Sequence, residues 1–160
     1  MKWIPYQKLV ITTNLSRKEL IEEMKKYVGP LERKNLVRVD NNIFSGRLRK
    51  NKFEFNLSRE YRNSWRPIVY GTLEEKGEGV VMYITLRSHM GVLIFTGFFI
   101  LVGFILFCYE LMQATSFNDL RPIGLLFMFF GYFFCWFGYN MGAYEAIDGL
   151  LKISKGEIIN

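Results

Sequence analysis

Two uncharged stretches constrain this chain more than any other feature. Twenty residues from Met90 to Tyr109, and twenty-three from Pro122 to Tyr144, contain no Asp, Glu, Lys or Arg. At about 1.5 Å of rise per residue, each can cross the roughly 30 Å hydrocarbon core of a bilayer as a helix. Buried helices of a soluble protein are the competing explanation, but at this length they carry a polar stripe. Neither GVLIFTGFFILVGFILFCY nor IGLLFMFFGYFFCWFGYNMGAY has one. The sequence therefore predicts a transmembrane hairpin over residues 90–144, with spans at about 91–111 and 122–143. The whole-chain mean hydropathy of +0.08 conceals this, because a charged segment precedes the hairpin.

The charge distribution predicts the orientation. Residues 1–89 hold eighteen Lys or Arg against ten Asp or Glu, an excess of eight positive charges, whereas the connection Glu110–Arg121 holds one Arg against two acids. Basic flanks stay on the cytoplasmic side. The opening MKWIPYQKLVITTNLSRKEL has neither an unbroken apolar core nor a small-residue cleavage site, so a secretory signal is not expected. The expectation is a multi-pass protein of the cell (inner) membrane with both termini cytoplasmic and the connection near Ser116 facing outward.

Cys108 and Cys135 are the only cysteines. In an antiparallel hairpin their depths differ by roughly 15 Å, too far for a disulfide, so they read as small apolar residues. With a single His, no metal-ligand pattern arises, and no cofactor is expected.

Ahead of the hairpin, residues 1–89 read as a cytoplasmic α+β domain: a small antiparallel sheet with one or two packing helices. Leu9–Thr13 is a strand candidate. Ser16 and Glu19 form a capping box, Leu15 can staple to Leu20, and Leu20, Met24, Tyr27 and Val28 recur at helical spacing. Gly29-Pro30 is expected to end that helix. Period-two alternation then predicts two hairpins, Ile43–Arg49 with Phe53–Arg59 and Ile68–Glu75 with Val80–Arg87. Beyond the second span, residues 145–160 are expected to form a separate amphipathic helix. Its face of Ile147, Leu150 and Leu151 would pack back on the domain.

The run YRNSWRPIVYGTLEE, followed by LRSHMGVLIF, resembles a family of uncharacterised small bacterial membrane proteins. These have an α+β domain with a YRNSF/W-x-P motif and a two-helix hairpin. The likeness covers roughly 44–103 and rests on Tyr61, Arg62, Asn63, Ser64, Pro67, Gly71, Arg87 and His89, with Trp65 where Phe is expected. It implies the same architecture and brings no activity with it.

Read from the residues, Ser58–Gly71 is a basic, aromatic turn. Arg59, Arg62 and Arg66 stand around Tyr61, Asn63 and Trp65, and guanidinium forks suit anionic groups such as lipid headgroups, while Trp and Tyr favour the interfacial zone. The bland reading is a solvated surface turn. Arg87 and His89 are the candidate membrane-interface residues, with His89 an anchor or a proton-sensitive group. Gly124, Gly131 and Gly138 recur every seven residues, and Gly138 with Gly142 makes a GxxxG pair, the pattern of close helix packing. Packing inside the hairpin and a homo-oligomer seam through the second span are the two uses of such a stripe.

No catalytic constellation stands out: there is no His beside a nucleophile, no carboxylate pair at a recognisable spacing and no phosphate loop. Nucleic acid is not expected as a partner, because the basic charge is dispersed and the domain is tethered to the bilayer. The leading expectation is a non-enzymatic, membrane-anchored domain that binds a protein partner or a lipid headgroup. An oligomeric membrane-perturbing effector comes second, and an enzyme acting on a membrane substrate third.

Overall fold

The structure, a computed structural model, describes residues 4–30, 42–58, 65–77, 79–114 and 121–159. The element order is β1 (Tyr6–Thr13), α1 (Arg17–Tyr27), β2 (Val28–Pro30), β3 (Phe44–Leu48), β4 (Lys52–Leu57), β5 (Ile68–Lys76), β6 (Gly79–Arg87), α2 (Met90–Gln113), α3 (Ile123–Ser154) and β7 (Glu157–Ile159). The fold is α+β, with a seven-stranded sheet in the order β2-β3-β4-β5-β6-β1-β7. Every pairing is antiparallel except β2 with β3.

The period-two pattern sets one sheet face against the core. Leu9 and Ile11, Phe53 and Phe55, Val69 and Leu73, and Val80, Met82, Ile84 and Leu86 are all buried there. Both expected hairpins form, with Phe44 opposite Leu57 and Glu75 opposite Val80. α1 starts as its sequence dictates: the Ser16 side chain accepts from the Glu19 amide, and the Glu19 carboxylate accepts from the Ser16 amide. Leu20 and Met24 face the core, and Leu15 packs against it.

The sheet is larger than the sequence implied, because two three-residue strands at its edges are too short to show periodicity. One of them holds Gly29-Pro30, which follows the end of α1 as expected and also extends the sheet. α1 ends at Tyr27, and Val28, its extended C-cap, opens the strand Val28–Pro30 that pairs with β3. The other, β7, replaces the end of the expected C-terminal helix.

That helix is not separate. α3 runs unbroken from Ile123 to Ser154, so the second span and the amphipathic segment are one rod. Tyr139 and Ala143, which the sequence placed in the span, are buried in the sheet core together with Ala146, Leu150 and Ile153. Two hydrogen bonds fix its alignment. At one end the Tyr139 hydroxyl donates to the Leu86 carbonyl over 3.3 Å, and at the other the Thr13 hydroxyl donates to the Ser154 carbonyl over 2.6 Å. Helix from Tyr139 to Ser154 rises about 22 Å, and strand from Gln7, the partner of Leu86, to Thr13 rises about 20 Å. The similar lengths let one helix tie β6 near one end of the sheet to β1 near the other.

α2 and α3 are long and apolar enough to cross a membrane, and only 17% and 22% of their most apolar windows are buried within the protein. A soluble core helix would be mostly covered. Their exposed side chains are large and apolar, among them Phe98, Phe104, Phe129 and Phe134.

Candidate functional site

The end of the basic, aromatic turn that the structure describes meets the hairpin near where both helices join the domain. Arg59, Tyr61, Arg62 and Asn63 lie outside the described residues, as does Ser64 of the resemblance motif. Trp65 and Arg66 are described. The Trp65 ring stands edge-on to Phe95 of α2, with centroids 5.7 Å apart. Its Cβ lies where a side chain on Gly138 would have to go, 2.6 Å from the position of such a Cβ. One turn further along α3, Pro67 and Arg66 fill the same space over Gly142.

Arg66 points along α3 away from the hairpin, placing Nη2 3.4 Å from the Glu145 carboxylate. The two side chains are 19% and 25% exposed, so the pair is partly shielded from water and screened less than a surface pair. Arg66 Nη1 is buried with no hydrogen-bond partner among the described residues. Trp65 and Arg66 therefore brace the hairpin against the sheet.

The four glycines proposed for helix packing divide between two partners. Gly124 packs on the backbone of α2 at Gly103 and Phe107, and Gly131 on the Cβ of Phe99, whereas Gly138 and Gly142 receive the turn. Gly149 continues the line against Ile43 and Phe44. The stripe is thus filled by the chain's own segments along its whole length.

His89 caps α2: its Nδ1 accepts from the Gly91 amide over 3.2 Å, while the ring stays exposed. The Arg87 guanidinium lies 5.6 Å from the centre of the Tyr6 ring, close enough for a cation–π contact, with Lys8 on the same ring at 6.0 Å. Two further residues of the resemblance motif have packing roles. Pro67 sits on Gly142, and Gly71 leaves room for the Phe53 ring, which crosses the neighbouring strand above it.

An open groove of about 310 Å³ lies below the Arg66–Glu145 pair, lined in part by Ile43, Leu57, Tyr144, Asp148 and Lys152. Asp148 and Lys152, four residues apart on α3, pair with each other at 2.7 Å. Among the described residues no group of three His, Cys, Asp or Glu side chains could hold a metal ion, and both cysteines are free thiols.

The feature that sequence reading missed is the second face of the sheet. Across it, Lys8, Thr85, Tyr70 and Glu54 form one row, and Val10, Tyr83, Thr72 and Lys52 the next. Tyr6, Tyr70 and Tyr83 are 37%, 38% and 44% exposed. Alternation announces such a face, but only the strand order brings the three tyrosines together. No family model, curated protein or solved structure matches the chain.

Proposed function

We propose that this protein is a non-enzymatic, membrane-anchored recognition module of the inner membrane, with both termini cytoplasmic. The single observation that carries the reading is the unbroken α3. It leaves the bilayer, enters the core at Tyr139 and stays in it to Ile153, so the domain cannot turn relative to its anchor without breaking its own core. A catalytic domain gains nothing obvious from that coupling. A surface that must face a partner beside the membrane does, because a fixed orientation removes rotational freedom that binding would otherwise cost. The tyrosine-bearing sheet face is the surface presented, and Tyr is a favoured residue at protein interfaces.

A photoreactive amino acid at Tyr83 of the full chain, irradiated in native membranes, tests this. An adduct is expected from Tyr83 and none from Glu22 on the outer side of α1. Equal adduct formation at both sites, or none at either, would remove the reading. The Arg87–Tyr6 contact beside the start of α2 supports a second reading, headgroup contact, in which Arg87→Gln lowers the preference of the full chain for acidic over zwitterionic nanodiscs. The effector reading has less support, since the exposed surfaces of both helices are phenylalanine-rich, as lipid-facing surfaces are.

A further inference from the structure

Charge is unevenly spread over the outer face of the sheet, and the imbalance falls at the end from which the chain enters α2. Among the paired residues of this face, Lys8, Arg87 and Arg47 stand in the two rows beside α2, against Glu54 alone. In the further rows Lys52 and Lys76 are balanced by Glu74 and Glu157. Glu54 has Arg47 directly opposite it on β3. From Lys8 it is separated by Thr85 and Tyr70, three strand spacings or about 14 Å. Lys8 and Arg87 are the two cations left over, and neither forms an ion pair among the described residues.

Both converge on Tyr6, with the Arg87 guanidinium 5.6 Å and the Lys8 ammonium 6.0 Å from the centre of its ring. The register brings them there, since Tyr6 is the direct partner of Arg87 and Lys8 follows on the same face of β1. A shared ring attracts both cations, yet their like charges repel, and a bound anion relieves that repulsion. Position selects the kind of anion. Arg87 is three residues from Met90, the first residue of α2, at most about 11 Å of chain. The Ser88 amide donates to the Pro5 carbonyl over 3.4 Å, which holds the chain before Tyr6 against the same junction. Ile4 and Met90, both large and apolar, are exposed there. Cations beside apolar side chains at the start of a membrane-length helix match a lipid, which offers a phosphate and hydrocarbon together. A soluble anion would leave Ile4 and Met90 in water.

Resting on the headgroup reading above and going further than it, we propose that Lys8, Arg87 and Tyr6 form a defined site for the phosphate of an anionic membrane lipid. Arg87 offers a fork of N–H donors to the phosphate oxygens, and Lys8 supplies a point charge. Tyr6 is a positioning residue: its ring gathers both cations before the lipid arrives, which lowers the ordering cost of binding. Tyr70 and Tyr83 stay exposed for a partner on the rest of the face.

The test uses the full chain in detergent, with bound lipids counted by native mass spectrometry. Phosphatidylglycerol is the anionic probe and phosphatidylcholine its neutral comparison. One phosphatidylglycerol is expected to bind more tightly than phosphatidylcholine. Lys8→Gln and Arg87→Gln should each weaken it about fivefold, the loss expected of one basic side chain near an acidic leaflet. Tyr6→Leu should weaken it with no change of charge, and Lys52→Gln, which removes a cation from the same face, should leave it as it was. The side chains at all these positions are exposed, and protease resistance checks that each variant is folded. Equal weakening by Lys52→Gln, or none by any of the three site variants, would overturn the site and leave headgroup contact as a diffuse effect of charge. Displacement of the lipid by millimolar inorganic phosphate would assign the site to a soluble anion and overturn the proposal. A wild-type chain with no preference between the two lipids would remove the headgroup reading together with it.

Discussion

The hydroxyl of Tyr139 on α3 donates to the carbonyl of Leu86 on β6 over 3.3 Å, three residues before His89 caps α2. This bond marks the level at which α3 passes from an exposed apolar rod into the core of the sheet. One element thereby serves two environments, and the domain depends on chain that follows the hairpin.

That dependence predicts unequal effects at adjacent leucines. Leu150 is 1% exposed within the core, while Leu151 is only partly buried at its margin. Leu150→Ala should cost about 2–5 kcal/mol, and Leu150→Asp more, since it also buries a carboxylate. Leu151→Asp should be clearly milder. Protease resistance of residues 6–87 in the full chain reads both, and equal sensitivity would contradict the packing described. A fragment ending at residue 89 should not fold, because it lacks Tyr139, Ala143, Ala146, Leu150 and Ile153.

The bracing turn predicts a contrast between two glycines of the hairpin. Gly138→Leu puts side-chain atoms where Trp65 sits, and should cost about 1–3 kcal/mol while moving that ring off Phe95. Gly97→Leu points into open space and should leave the ring in place. In a chain with Trp3 and Trp136 replaced by Phe, Trp65 emission should shift only for Gly138→Leu. A shift in both variants, or in neither, would place Trp65 elsewhere.

The capping box predicts a pH effect of definite sign. Hydrogen bonds from the Ser16 side chain and backbone hold the Glu19 carboxyl below its ordinary value of 4.5. A group with a depressed pKa in the folded state stabilises above its unfolded pKa, and loses that contribution as pH falls through the folded value. Glu19→Gln should therefore flatten thermal stability on the acid side of about pH 4.5 and change its slope little near neutrality. Ser16→Ala should cost about 1 kcal/mol at neutral pH. Melting curves of the three chains across that range decide the matter.

The proposed orientation predicts which residues an impermeant reagent reaches. A cysteine at Ser116 should react with a membrane-impermeant thiol reagent in intact cells, and one at Lys155 only after lysis. The opposite pattern would invert the topology.

Much of this architecture follows from the sequence alone, because the physics involved is local. Absence of charge over the length of a bilayer marks α2 and the outer part of α3, alternation marks β4 to β6 and their inward faces, and Ser16 with Glu19 fixes the start of α1. Heptad spacing of Gly124, Gly131 and Gly138 identifies a close-packed stripe, and Trp65 and Arg66 belong to the basic, aromatic turn that the sequence singles out. Only the tertiary structure decides what those residues touch. Local pattern cannot say that Gly124 and Gly131 meet α2 while Gly138 and Gly142 meet the turn, since the partners are distant in sequence. Nor can it place the boundary at Tyr139, because lipid and a protein core both accept apolar helix, and hydropathy does not distinguish them. The strands Val28–Pro30 and Glu157–Ile159 exist only because β3 and β1 offer unpaired backbone at their edges, which three residues in isolation cannot reveal. The facing row of Lys8, Thr85, Tyr70 and Glu54 likewise comes from register, which is set by the whole sheet.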